Sequence, residues 1–217
     1  MDIYWGGQAL FRLKGKEASV IIDPYDPNFT GLKLPKDLTA DVVLSTHNHD
    51  DHNNVGVVSS AAGKPMVFKD AGEYEVSGVV ITAIETFHDD SQGGERGKNI
   101  IFHLMFDGLN IVHLGDLGQS KLTEEQITQI GETDILLIPV GSIFTIDAKS
   151  AAFIVSQLEP KVIIPMHYKI EGLKFELDGV EKFLKEMGAE NIVPQPKLSM
   201  TKEKLPEEPQ VVVLAKS

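Results

Sequence analysis

Thr46-His47-Asn48-His49-Asp50-Asp51-His52 packs three imidazoles and two carboxylates into seven residues, in the order H-x-H-x-D-H from His47. The residues before it, Asp41 to Ser45 (D-V-V-L-S), form a short β-branched apolar run with the pattern of a buried strand. The cluster then falls where that strand passes into a loop, which is where α/β proteins carry their chemistry. Neutral imidazoles and ionised carboxylates are the ligands that a borderline metal such as zinc takes, commonly three protein groups plus a water at a catalytic centre. The plainer reading is a polar turn with solvated histidines. Four of the chain's seven histidines lie elsewhere, so composition does not separate the two readings. Spacing does, because close imidazoles repel when protonated and gain little unless a metal holds them.

The 217 residues are enough for one large domain with a sizeable core, and we read one domain over residues 1–217. Hydrophobic content of 42% and charged content of 24% are ordinary for a globular protein. With no cysteine there is no thiolate ligand, no disulfide and no cysteine nucleophile, so any metal rests on histidine and carboxylate. The start, M-D-I-Y-W-G-G, has neither a basic region nor an apolar signal core, and no apolar run reaches membrane-spanning length, so the expectation is cytoplasmic. A net charge of −12 without a basic stripe argues against a nucleic-acid partner. Metals would offset local negative charge, leaving room for a small, anionic substrate.

Working outward, Ile3 to Asp23 reads as two or three strands turning at Gly6-Gly7 and Gly15. Asp23 is either a strand-end turn residue, the simpler reading, or a carboxylate bonded to a ligand histidine. Residues 26–40 read as a loop, and Asn53 or Asn54 as the cap of a short helix ending near Gly63. Met66–Phe68 and Val79–Phe87 read as strands with Gly72 and Gly78 as turns between them, and the second delivers His88. Ser91 to Lys98 is Gly-rich and too flexible for core. Asn99–Phe106 and Asn110–Leu114 form a hairpin across Asp107-Gly108 that leads into Gly115-Asp116. Thr123 to Gln126 (T-E-E-Q) has the form of a capping box, Asp147 caps a helix to Leu158, and Val162–Met166 delivers His167. Val180, Phe183, Leu184 and Met187 give one apolar helix face. Prolines from Pro194 to Pro209 exclude a packed element there, and Val211–Ala215 reads as a closing strand. The sum is an α/β layered architecture with mixed sheets.

Gathered at strand ends, His47, His49, Asp51, His52, His88, Asp116 and His167 are enough for two metals with one carboxylate shared. His113, three residues before Asp116, reads as a hydrogen-bonded structural histidine, and His103 as a core or hairpin residue. Arg96 and Asn99 either grip an anionic substrate or belong to a solvated loop. This order of motifs, together with A-G-E-Y-E-V-S-G (Ala71–Gly78), R-G-K-N (Arg96–Asn99), H-L-G-D-L-G (His113–Gly118) and P-M-H-Y (Pro165–Tyr168), resembles the metallo-β-lactamase fold superfamily. Within it, the likeness is to the small branch related to L-ascorbate-6-phosphate lactonase, and it covers nearly the whole chain.

The resemblance implies a four-layer αββα sandwich of two mixed β-sheets flanked by helices. It implies that His47, His49 and His88 hold one divalent ion, that Asp51, His52 and His167 hold a second, and that Asp116 bridges them. Zinc is the first expectation, with manganese or iron as alternatives. Hydroxide between the ions would be the nucleophile, with Asp51 orienting it as the catalytic carboxylate. The expected activity is hydrolysis of a phosphodiester, lactone or similar ester. Secreted β-lactamases, two-domain thioesterases, RNA-processing members and diiron oxygen reductases fit the chain less well, the last because position 49 is histidine rather than glutamate. The alternative is a non-catalytic protein that keeps its metals for structure or sensing.

Overall fold

Alternation along the strands sends apolar side chains to opposite faces and so builds two sheets that share a core. The computed structural model describes residues 1–217. Strands β1 (Asp2–Gly7), β2 (Leu10–Lys14) and β3 (Ser19–Ile22) are followed by the short helix α1 (Pro27–Thr30) and by β4 (Val42–Leu44) and β5 (Met66–Phe68). Strands β6 (Gly72–Val76), β7 (Val79–Phe87), β8 (Lys98–Phe106) and β9 (Leu109–His113) come next. Then α2 (Glu124–Ile130), β10 (Ile135–Pro139), α3 (Ala148–Leu158), β11 (Val162–Met166), α4 (Val180–Glu186), β12 (Leu198–Ser199) and β13 (Gln210–Val211) complete the order.

One sheet runs β12-β1-β2-β3-β4-β5 and the other β13-β11-β10-β9-β8-β7-β6. Each is mixed. In the first, β1 to β3 are antiparallel and β3 to β5 parallel. In the second, β6 to β9 form an antiparallel meander and β9 to β11 are parallel. Val20 and Ile22 of β3 and Val42 and Leu44 of β4 join Phe102, Ile111, Leu137 and Ile164 of the other sheet in one core. Between them in sequence, Ile21 and Val43 point the other way into a smaller cluster with Tyr25, Leu32, Ala40, Leu173 and Leu177. Both faces of β3 and β4 are therefore dry, which is why these strands read as unbroken apolar runs. Helices α3 and α4 pack together outside the second sheet. Outside the first, the fourth layer is thin: α1 and irregular chain supply most of it.

The capping box forms as expected, with Thr123 Oγ1 accepting from Gln126 N at 3.2 Å and Gln126 Oε1 accepting from Thr123 N at 2.9 Å. Four local readings are corrected. Pro27 does not prevent helix in the 26–40 segment, because at the first helical position its missing N–H costs nothing and Asp26 caps the turn. After the histidine cluster there is only a 3₁₀ turn, Val55–Val57. A further strand, β6, takes in Gly72 itself and runs up to the turn at Gly78; its exposed Glu73 and Glu75 are the charges that guard a sheet edge. In the Pro-rich stretch, Leu198 pairs with Ile3, so β12 extends the first sheet.

Candidate metal centre

Every candidate ligand stands where a strand ends along one rim of the paired sheets. The His47–His52 stretch follows β4, His88 follows β7, Asp116 follows β9 and His167 follows β11. Two backbone bonds join the sheets here: Ile100 N donates to Thr46 O at 2.9 Å, and His167 N donates to Gln8 O at 3.1 Å. Gln8, Asp23 and His167 all sit in the left-handed region, with φ of 50°, 50° and 51°. Non-glycine residues held there store strain of about 1–3 kcal/mol each, and they recur at functional sites.

The ligand atoms fall into two groups, each within 4.8 Å: His47, His49 and His88, and Asp51, His52, Asp116 and His167. Asp116 lies between them. Its Oδ2 is 3.2 Å from His88 Nε2, 3.1 Å from His52 Nε2 and 3.3 Å from His167 Nε2. Asp51 Oδ2 stands 3.6 Å from His52 Nε2 and 3.7 Å from His167 Nε2. In the first group, His47 Nε2 and His49 Nδ1 are 2.9 Å apart, so at most one can carry a proton between them. His52 Nε2 and Asp116 Oδ1 are buried without a hydrogen-bond partner in the chain. Lone pairs this close and this dry are what a cation would satisfy, so the donor set fits divalent metal.

The electrostatics divide the groups. Burial, followed by the neighbouring His52, pushes the His47 imidazole down to about 2, keeping it neutral and able to ligate. Burial likewise lowers His49, with His88 the next contributor. At Asp116, burial alone would raise the carboxyl, but His167 and His52 outweigh it and hold it well below the usual range. At Asp51, burial is outweighed by His52 and by the nearby His167 imidazole, again downward. His52 and His167 move upward although burial opposes it, because Asp116 and Asp51 face both.

A second layer of polar groups aims these ligands. Asp23, fully buried, accepts from Thr46 N at 2.7 Å and Thr46 Oγ1 at 2.8 Å, and its Oδ2 lies 2.9 Å from His52 Nδ1. The turn reading of Asp23 is therefore corrected: it fixes the His52 ring and leaves Nε2 facing the site. Asn99 is corrected too. It is fully buried and cannot reach a substrate; its Nδ2 donates to Thr86 Oγ1 at 2.8 Å and Leu114 O at 2.9 Å, and its Oδ1 accepts from Asp116 N at 2.9 Å. A Cβ on Gly115 would come within 2.3 Å of that same Oδ1, so glycine lets the G-D bend close over Asn99. His113 is the hydrogen-bonded residue expected, with Nε2 2.9 Å from Ala9 O. His103 is half-buried beside Asn110.

Arg96 does reach the cleft. The loop that carries it is ordered, against expectation, because the Asp89 carboxylate accepts from Ser91 N, Ser91 Oγ, Gly93 N, Glu95 N and Arg96 N at 2.8–3.0 Å. Asp89 thus serves loop geometry and holds its carboxyl low, chiefly through the Arg96 backbone N–H. Sequence reasoning missed Asp89 and also Gln8, whose Nε2 is 3.2 Å from His167 Nε2 while its Oε1 is buried and unpartnered. No sequence signal marks Gln8 beyond the preceding glycine turn.

Two facing mixed sheets with a His/Asp cluster at their shared rim define a protein of metallo-β-lactamase fold. The beta-lactamase superfamily domain matches residues 2–167, and the chain belongs to that family. Within it, the chain is 32% identical to a metal-dependent hydrolase of Thermoplasma volcanium over 205 residues, covering 81% of this chain and 90% of that one. A crystal structure from Thermotoga maritima, described as a candidate zinc-dependent hydrolase of the metallo-β-lactamase superfamily, superposes with a TM-score of 0.79 at 39% identity, over 98% of this chain and 97% of that one. Igni18, a metallo hydrolase of Ignicoccus hospitalis, shares the fold at 17% identity and a TM-score of 0.66, over 92% and 99% of the two chains. No helix is long and apolar enough to cross a membrane.

Proposed function

We propose that this chain is a dinuclear metal-dependent hydrolase that cleaves an ester-type bond, such as a phosphodiester or lactone, in a small substrate. The observation that carries the reading is Asp116: one buried carboxylate oxygen lies 3.1–3.3 Å from imidazoles of both ligand groups. His47, His49 and His88 would hold one ion, Asp51, His52 and His167 the other, and Asp116 both. Zinc suits this donor set first, with manganese or iron as alternatives. When bound, such a pair supplies Lewis-acid polarisation and lowers the pKa of water to about 7.

The chain's own groups supply the rest. Asp51 lines the cleft beside His49, His88 and Asp116, so its carboxylate is available to orient a water. Asp23 and Asn99 act on ligands from behind, through His52 Nδ1 and Asp116 N. An adjoining cavity of about 450 Å³ leaves room for a small molecule and favours catalysis over a closed structural site.

Metal content by plasma mass spectrometry, on wild type and Asp116→Ala, tests the reading alongside hydrolysis of bis(p-nitrophenyl) phosphate and a lactone panel. About two ions per chain, lower occupancy in the variant and metal-dependent turnover are the expected results. Wild-type protein that takes up no zinc, manganese or iron without chelators present overturns it.

A further inference from the structure

The cleft above the ligand groups has an uneven wall. Phe29, from α1, Phe144, after β10, and Phe175, after β11, line it together. Phe175 is the middle ring, with centroids 5.8 Å from Phe29 and 5.9 Å from Phe144. Phe29 and Phe144 are 46% and 37% exposed, although a folding chain gains by burying such rings. Three separate segments thus converge to present one aromatic surface beside a polar floor, and exposed apolar surface rimmed by polar groups marks a place where something binds.

Arg96 stands at one end of this surface. Its Cζ lies 5.7 Å from the Phe144 ring centroid, and its Nη2 donates to Ile143 O at 3.2 Å. A guanidinium has five N–H donors, and this is the only side-chain bond Arg96 makes within the chain, so most remain for a ligand. It is also the one lysine or arginine lining the cleft. Two contacts position it. Asp89 fixes its backbone N at 2.8 Å, and on the other side Ser142 and Ile143 hold φ of 55° and 51°. A β-branched residue in that region is an outlier, so the loop stores strain to turn Ile143 O towards Arg96 and Phe144 into the wall.

Resting on the hydrolase reading above, we infer that the substrate carries an apolar, aromatic-type arm seated on Phe29 and Phe175, and a carboxylate- or phosphate-type anion held by Arg96, with the scissile bond between them over the ligand groups. With Asp51 and Asp116 given to the ions, Asp50 is the carboxylate of this cleft left uncompensated, and the guanidinium of Arg96 offsets it at the end where the anion would sit. The cavity of about 450 Å³ accommodates a small molecule of this kind.

Calorimetric titration of the metal-loaded full chain with paired phosphonates tests this without turnover. Phenethylphosphonate should bind about ten- to a hundredfold more tightly than methylphosphonate, the gain from burying one aromatic group, and Phe175→Ala should cut that ratio to a few-fold. 3-Carboxypropylphosphonate should bind more tightly than butylphosphonate; Arg96→Ala should reverse the preference and Arg96→Lys retain part of it. Equal binding of the phenethyl and methyl probes, or a carboxylate preference unchanged in Arg96→Ala, overturns the inference while leaving the metal site intact. So does self-association that Phe175→Ala abolishes, since the aromatic wall would then be an interface between copies. A chain that takes up no metal fails at the reading beneath, and metal content measured on the same samples separates the two failures.

Discussion

Substituting Asp23 separates a carboxylate that merely stabilises the fold from one that sets the chemistry of a ligand. Asp23 receives three buried hydrogen bonds, two from Thr46 and one involving His52 Nδ1. Alanine would strip all three donors at about 1–3 kcal/mol each. The sum, about 3–9 kcal/mol, is comparable with the whole stability of a domain, about 5–15 kcal/mol, so that variant would report only unfolding. Asparagine keeps the volume, and its Oδ1 can still accept from Thr46 N. Its Nδ2, at the position of Asp23 Oδ2, becomes a donor facing His52 Nδ1. To accept that bond, His52 must move its proton to Nε2, the nitrogen that faces Asp116 at 3.1 Å. The lone pair meant for metal is then blocked.

Asp23→Asn should therefore weaken metal binding about 10–100-fold, the usual cost of losing a ligand's orienting partner. If the proposed pair of ions is bound, the loss should fall on the one beside His52, since His47, His49 and His88 form the other group. Competition with a chelator of known affinity reads the two sites separately, and nitrogen-15 spectra of the histidine side chains in metal-free protein, taken at a pH high enough to leave His52 neutral against its raised pKa, read its tautomer directly. Wild-type affinity at both sites, or a His52 that keeps its proton on Nδ1 in the variant, would refute the reasoning.

Three more outcomes follow from the same geometry. Asn99→Ala leaves Asp116 N and Leu114 O without their partner and should cost about 1–3 kcal/mol for each unpaired group; urea unfolding checks it, and unchanged stability would contradict the role of these bonds in holding the bend at Asp116. Gly141→Ala would put a Cβ 2.0 Å from His167 O, a backbone atom with little freedom to yield, so the urea midpoint should fall sharply, whereas Gly78→Ala, with open space around it but a φ of 75°, should suffer only backbone strain. The Asp89 carboxyl is held low in the folded chain, so its contribution is complete above the unfolded value of about 3.9 and disappears as pH falls through the lower folded value. The amide resonances of Ser91, Gly93, Glu95 and Arg96 should hence stay put from neutral pH to about 4 and shift together only below that; a shared midpoint above 5 would contradict the Asp89 cradle.

How much of this was legible in the sequence depends on how local each cause is. The H-x-H-x-D-H run, the capping box at Thr123, the Asp107-Gly108 turn and the buried runs at Val42–Leu44 and Val162–Met166 each carry their reason within a few residues. The clustering of His88, Asp116 and His167 with the first run was legible through strand ends and through the family likeness. What the sequence concealed depends on partners far along the chain. Asp23 and His52 are 29 residues apart, and Gln8 and His167 are 159 apart. Asn99 opens a strand in the sequence as in the structure, but its burial and its hold on Asp116 from the neighbouring strand carry no local signal next to the Gly-rich loop that precedes it. The aromatic wall was invisible for the same reason: Phe29, Phe144 and Phe175 lie on three separate segments, and each alone looks like core.

These hidden contacts share a direction. Each ties a ligand to the opposite sheet or to the next strand end, and none spends its hydrogen bonds on the exposed side of the cleft. His167 N reaches Gln8 O in the first sheet, while Thr46 O receives Ile100 N from the second. The two sheets are thus clamped at the rim where the ligands converge, so bringing the ligand nitrogens around Asp116 and docking the sheets are one event. Ions that bind only this arrangement would add their binding free energy to the stability of the sandwich. A site strained at Gln8, Asp23 and His167 is held by the packing behind it rather than by the cluster itself, and the cluster's geometry should therefore survive removal of the metal while its stability does not.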